Sequence, residues 1–206
     1  MSTTAVTQVI TTLKAAHDNL GLERSPDDDF FWEWRQDFPP LSDAENETLD
    51  LIRQRFRYHR DMGQVSEGVV NAIVVSRLLE LAGFYDPPHY LRSEAPVTIE
   101  RQHDGEILRG RLDFLVVDDR FWRLVVESKD TQFDVEVGIP QLLAYMMSSE
   151  ADSGEHPLFG LVTNGTSFLL VKLQRYPQPV YDFSDLFSLL SRENPLRRVL
   201  QFLKAI

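Results

Sequence analysis

The stretch Trp122-Arg-Leu-Val-Val-Glu-Ser-Lys-Asp130 decides how this chain is read. Leu124, Val125 and Val126 form a short apolar run that suits a central strand buried on both faces. The run ends in Glu127 and Lys129, and the period of two along a strand puts both on one face, beside Val125. An ionised group at the end of a buried strand is costly unless it is paired or bound to a metal. Upstream, Gly110-Arg-Leu-Asp-Phe-Leu-Val-Val117 reads as a second strand carrying Asp113. Asp113, Glu127 and Lys129 are therefore expected to make one site.

A single register decides whether they meet. In an antiparallel pair, residues directly opposite share a face. A three-residue loop at 119–121 sets Asp118 against Trp122 and Asp113 against Glu127. A two-residue loop sets Asp113 against Val126 and separates the charges.

The chain has 206 residues, 43% of them hydrophobic, enough for one substantial core with a small helical lobe. It has no cysteine, which excludes disulfides, thiol catalysis and cysteine-ligated zinc. No apolar run approaches the roughly 20 residues of a membrane span. Residues 5–20 look like an amphipathic helix rather than a targeting segment, so a cytoplasmic chain with no membrane association is the default expectation. The net charge of −11 argues against a general nucleic-acid-coating protein. The charge is uneven: residues 26–50 hold nine acids against Arg35 alone, whereas residues 51–60 hold Arg53, Arg55, Arg57 and Arg60 with no acid. Any DNA binding is expected to be modest and salt-sensitive.

Around the central strands the chain alternates helices and strands. After the first helix, a connector over 23–41 is rich in Asp, aromatics and Pro, and its rings are expected to pack on the core. A capping box, Ser42-x-x-Glu45, opens a second helix to about Arg60, with Gly63 as its stop. Arg53, Arg57 and Arg60 share one face of it, which reads either as a phosphate-contacting stripe or as a solvated helix face or one paired with the acidic connector. A third helix, from about Ser66 to Ala82, carries Glu67 on its apolar stripe, an acid explained by its first-turn position or by a partner in the core.

Residues 84–90 read as a loop, and Val97–Gln102 with Ile107–Val117 as a hairpin around 103–106. Pro140 opens a helix that runs to about Ser149 and places Gln141 and Tyr145 on one face. Leu158–Thr163 and Ser167–Leu173 are strands joined by Asn164-Gly165. Asp182–Ser191 and the segment from Asn194-Pro195 onward are read as closing helices.

Carboxylates on one surface beside a lysine suit divalent-metal phosphoryl chemistry. Mg²⁺ takes hard oxygen ligands and keeps several waters, so two or three carboxylates and a backbone carbonyl suffice. The bound ion lowers the pKa of a water and stabilises charge on a scissile phosphate, and a nearby lysine orients the water or neutralises developing charge. Only four of the 21 basic positions are Lys (Lys14, Lys129, Lys172, Lys204), and one of them falls here. The histidines, His17, His59, His89, His103 and His156, are scattered without ligand spacing.

These residues resemble a known family. Asp113, Glu127-Ser-Lys129 fourteen residues later, a preceding helix with Glu67 and a following helix with Gln141-Leu-Leu-Ala-Tyr145 look like the PD-(D/E)xK nuclease superfamily. The nearest likeness is to the N-terminal nuclease domain of type I restriction enzyme R subunits, and it covers roughly residues 64–173. The resemblance implies an α/β fold: a mixed sheet flanked by helices, with a restriction-endonuclease-like α-β-β-β-α-β core. It divides the chain into a helical region over 1–63, packed on that core, and a nuclease-like domain over 64–206 with C-terminal helices.

It also implies that Asp113, Glu127 and the Ser128 backbone carbonyl bind Mg²⁺, for which Mn²⁺ substitutes. Lys129 would act on the water or the transition state, and Glu67 would complete the acidic cluster. Gln141 and Tyr145 match the QxxxY element of the RecB-like branch, beside the active site and the nucleic acid; Arg111 is taken with them as substrate-binding. Leu112 stands where the superfamily's name has proline.

The expected activity is Mg²⁺-dependent hydrolysis of DNA. With no Gly-x4-Gly-Lys-Ser/Thr loop in the sequence, the chain acts alone or with a separate motor or specificity protein. Two-strand cleavage calls for a homodimer or two encounters. The alternative is a catalytically silent nucleic-acid- or protein-binding regulator on the same fold. Structural readings stand beside the functional ones: Asp113 with Lys129 as an ion pair, and Gln141 with Tyr145 as a helix face packed on the sheet.

Overall fold

A computed structural model of the chain describes residues 3–100, 107–118, 121–149 and 156–206. The expected α-β-β-β-α-β order is present. Helix α4 (Glu67–Val70) passes through a π-helical stretch at Asn71–Val75 into α5 (Ser76–Leu81), and strands β3 (His89–Glu100), β4 (Ile107–Asp118) and β5 (Phe121–Ser128) follow. Helix α6 (Ile139–Met147) then leads to β6 (Leu158–Thr163) and β7 (Ser167–Gln174). β3, β4 and β5 form an antiparallel meander, and α6 is the crossover that lets β6 pair parallel to β5. The fold is a mixed α/β architecture with nine strands in one sheet among the described residues.

The central strands bury both faces, as their unbroken apolar runs require. Leu124, Val126, Leu161 and Leu170 face one core with α3 (Asp43–Asp61), α5 and α7 (Leu196–Leu203). Val125, Val162 and Val171 face the other, against α6, α1 (Val6–Val9) and α2 (Leu13–Leu20). α6 is apolar almost all round because it lies between the sheet and α1 and α2; only Gln141 and Met147 of its residues are not fully buried. Gly160 on β6 permits its close approach, since a Cβ there would lie 2.7 Å from Leu142.

The decisive register arises by an unexpected route. The β4–β5 loop has two residues, with Asp118 opposite Phe121 and Val117 opposite Trp122. A β-bulge then accommodates Arg123, and beyond it Val116 faces Leu124 and Phe114 faces Val126. Continued by one residue, this register sets Asp113 against Glu127. The bulge adds the one residue that the short loop lacked.

Several sequence expectations are corrected. The first helix is not continuous over 5–20. Residues Thr3–Ala5 form β1, which pairs parallel with Ile107–Arg109 of β4, and α1 and α2 are separated at Thr12. Thr12 breaks the helix because its hydroxyl accepts from Ala15 N at 3.0 Å as the N-cap of α2. The helix expected at Asp182–Ser191 is replaced by strands β8 (Val180–Phe183) and β9 (Phe187–Ser188), both paired with β7. β7 presented an open edge, and covering it outweighed the helical spacing of a short segment. A two-residue strand, β2 (Glu23–Arg24), adds to β8. His89 and Tyr90, read as loop, begin β3, and the hairpin apex at 103–106 lies outside the described residues.

The capping box of α3 is present in both directions, and Asn164-Gly165 lies in the β6–β7 connection with Gly165 at φ +79°. Connector residue Phe31 is buried against Phe159 and Phe202. Arg53 and Arg57 donate to the carbonyls of Leu189, Ser191 and Arg192, so two arginines of the Arg53–Arg57–Arg60 face clamp the chain after β9 instead of pairing with the acidic connector. No helix among the described residues is long and apolar enough to cross a membrane.

Candidate active site

β4 changes neighbours along one edge. β5 pairs with its C-terminal half, from Phe114 onward, and β1 with Ile107–Arg109. Residues 110–113 are left at the fork between them. Across β4, Glu94 of β3 has φ +49°, an uncommon conformation for a side-chain-bearing residue. Asp113 sits at this fork. Its Oδ2 accepts from Ser128 N at 2.6 Å and Ser128 Oγ at 2.5 Å, which ties it to the end of β5.

Glu127 is 2% exposed. Its Oε1 accepts from Lys129 Nζ, whereas Oε2 is buried with no hydrogen-bond partner. Burial pushes the Glu127 carboxyl up to about 8; Asp113 and Glu67 add to the rise, and Lys129 opposes it. Gly138, just before α6, packs on this pair: a Cβ there would lie 2.8 Å from Val162 and 3.5 Å from both Glu127 and Lys129.

Lys129 Nζ also donates to Gln141 Oε1 at 3.1 Å. Gln141 Nε2 donates to Tyr145 Oη at 2.7 Å, and the same hydroxyl accepts from Arg111 N at 3.3 Å. Tyr145 is 1% exposed, and burial pushes its hydroxyl up to about 12. Its ring covers Gly110, where a Cβ would lie 2.4 Å from it. The Gln141–Tyr145 element thus runs inward from Lys129 to the backbone at the fork. The Arg111 side chain points out to solvent and pairs with Glu94 at 3.2 Å.

Glu67 reaches the cluster from the other side. Asp130 Oδ1 accepts from Glu67 N at 2.5 Å and caps α4 from a distant part of the chain, while Ser66 makes no such bond. Thr131 and Val65 are joined through Val65 N to Thr131 Oγ1 at 3.0 Å and Thr131 N to Val65 O at 3.1 Å. The residues after Lys129 therefore hold the start of the Glu67 helix. Burial first, then the neighbouring Asp113 carboxylate and a hydrogen bond to it, raise Glu67 above the ordinary carboxylate range.

A cleft of about 320 Å³ opens here, lined by Glu67, Lys129, Asp130 and Gln141 on one side and by Thr7, Ile10 and Thr11 on the other, with Phe133 and Val137 completing it. Sequence reasoning missed the N-terminal wall and Phe133. Thr7 and Ile10 arrive there because β1 pairs on β4, a long-range contact with no local signal.

Among the described residues, no group of three or more His, Asp or Glu side chains is arranged to hold an ion by itself. A donor set of Asp113, Glu127 and the Ser128 carbonyl fits a hard cation that keeps several waters. Glu127 Oε2, a hard oxygen with no protein donor, has the chemistry that such an ion would use.

No family model matches the chain, and no curated protein matches it. Among solved structures it is similar to a fragment assigned to the HsdR subunit of a type I restriction enzyme from Vibrio vulnificus YJ016, at 21% identity and a TM-score of 0.41. The match covers 68% of this chain and 26% of that one, so the chain spans about a quarter of that chain's length.

Proposed function

We propose that this chain is a divalent-metal-dependent phosphodiester hydrolase of the PD-(D/E)xK type acting on DNA. The observation that supports this reading is the meeting of Asp113, Glu127, Lys129 and Glu67 at one strand end beside a cleft. Asp113, Glu127 and the Ser128 carbonyl would hold Mg²⁺, with Mn²⁺ as a substitute. When bound, the ion supplies an activated water and charge stabilisation at the phosphate.

The chain's own residues do the rest. Gln141 holds the Lys129 ammonium at the cleft wall, where it directs a hydrogen bond to the attacking water or a phosphate oxygen. Buried Tyr145 holds Gln141 in turn. Glu67 stands against Asp113 and completes the acidic cluster. In the reaction the water oxygen bonds to phosphorus and the P–O bond to the leaving sugar oxygen breaks. The leaving oxygen takes up a proton, and a phosphate monoester end remains.

Cleavage of single-stranded and of duplex DNA in Mg²⁺ or Mn²⁺ tests the reading. Wild type is expected to cut, EDTA to stop it, and Asp113→Ala and Lys129→Ala to abolish it; equal behaviour of all three proteins would overturn it. A catalytically silent regulator is the second reading, favoured by the use of Arg53 and Arg57 on carbonyls rather than on an open basic face. Calorimetric titration showing no Mg²⁺ or Mn²⁺ binding at millimolar ion would support that reading. A separate motor or specificity protein, or a second copy of the chain, would supply translocation or the second cut.

A further inference from the structure

Phe133 has no explanation in the core. It is 45% exposed, yet its backbone is held from both sides: its N donates to Asp130 O at 3.0 Å, and its carbonyl accepts from Asn164 Nδ2 at 2.7 Å. A fixed turn therefore presents an aromatic ring on the wall of the cleft that contains Lys129. Val137, 55% exposed, and the buried Ile10 extend the apolar surface around it. We propose that this surface is a base-stacking subsite, and that the cleft takes an unpaired nucleotide of single-stranded DNA rather than a duplex. The inference rests on the hydrolase reading above for the adjoining phosphate chemistry.

Three observations point to a single strand. About 320 Å³ lies at the small end of the range for small-ligand pockets, a volume suited to one nucleotide unit. Glu127 is 2% exposed and the Lys129 side chain 16%, so a phosphate must descend to reach them. A single strand bends and turns a base outward far more readily than a stiff duplex does. The charges lining the cleft are Lys129 against Glu67 and Asp130. Duplex affinity rests mainly on neutralising phosphates with Lys and Arg, which this lining and a net charge of −11 do not supply. Stacking on an aromatic ring adds affinity for an unpaired base that a closed duplex cannot use, and it tolerates any base.

The 206-residue chain tests this with a labelled single-stranded oligodeoxynucleotide and the duplex of the same sequence, bound in Ca²⁺ and read by fluorescence anisotropy. The single strand is expected to bind about tenfold more tightly than the duplex. Phe133→Ala should lose about tenfold in single-strand affinity, and Phe133→Trp should restore it. Circular dichroism checks that both variants are folded. Equal affinity for the two forms, no binding of either, or a Phe133→Ala variant that binds like wild type would overturn the proposal.

Cleavage separates the two claims. Duplex cutting that Asp113→Asn abolishes and Phe133→Ala leaves unchanged keeps the hydrolase and removes the subsite. Phe133-dependent single-strand binding without Mg²⁺-dependent cutting keeps the subsite and removes the hydrolase.

Discussion

Two buried lysine–glutamate pairs in this molecule share their chemistry but not their setting. Lys129 meets Glu127 at the end of β5, and Lys172 of β7 meets Glu33 from the connector. Both lysines are largely buried, with side chains 16% and 9% exposed, and each glutamate leaves its Oε2 buried without a hydrogen-bond partner. An orphaned carboxylate oxygen is therefore not enough to mark a functional site. The surroundings differ. Lys172 is enclosed: its Nζ donates to the Phe30 carbonyl at 2.8 Å and lies 4.8 Å from the centre of the Phe30 ring. Lys129 opens on a cleft, with two more acids, Asp113 and Glu67, close enough to raise Glu127. Where a pair is closed by an aromatic ring it is a clasp; the pair that gathers further acids at an opening is the one the proposed function uses.

The largest effect should separate the pairs by activity. Lys129→Met is expected to lower the metal-dependent cleavage rate by about 10²- to 10³-fold, while Lys172→Met, assayed where it remains folded, keeps the wild-type rate. Comparable losses in both would break the comparison.

Stability should run the other way. Lys172→Ala leaves the largely buried Glu33 without its partner and should cost about 3 kcal/mol, measured by urea denaturation. At pH 6, Lys129→Ala should cost less, because Glu127 already holds its proton there and no buried charge is left unpaired. A Lys172→Ala midpoint equal to wild type would show that the clasp is ornamental.

The dependence on pH sharpens the contrast. Burial holds Glu127 at about 8 in the folded protein, against an ordinary value of 4.5. The folded state thus binds this proton more tightly than the unfolded chain. Its contribution to stability is full below the unfolded value and is lost as the pH rises through the folded one. Metal-free wild type should lose about 3 kcal/mol from this group between about pH 5.5 and 8.5, a slope that Glu127→Gln removes. Parallel thermal melts of the two proteins, with the same slope in each, would refute the assignment.

The smallest effect concerns how the site is braced. Asp130→Ala removes the cap on the Glu67 helix and should cost about 1 kcal/mol, read as a lower melting temperature. No loss would show that Ser66 can replace it.

Much of the site was legible because its signals are local. The apolar run ending in Glu127 and Lys129, the Ser42–Glu45 capping box, and Gln141 and Tyr145 one turn apart all concern residues within a few positions of one another. The register of Asp113 with Glu127 was expected from a three-residue loop and came instead from a two-residue loop followed by a bulge. Bulges leave little trace in composition, since Arg123 suits an exposed strand position as well as a bulged one. The segment Asp182–Ser191 misled because its spacing fits a helix, while its strands depend on the open edge of β7. Arg53 and Arg57 have helical spacing that is plain in sequence, but their partners are carbonyls more than a hundred residues away.

Taken alone, then, the order of residues determined the alternation of helices and strands, the strand that ends in charge, and the identity of the charges, Glu127 and Lys129, at its end. These follow from hydrophobic periodicity and capping, which act over a few residues. Tertiary structure alone decided that β1 would pair beside β5 on β4, that Thr7, Ile10 and Phe133 would wall the cleft, and that Asp130 would cap the helix carrying Glu67. Those outcomes depend on which distant backbone groups and apolar faces remained to be covered once the local elements had formed, and that depends on the whole chain.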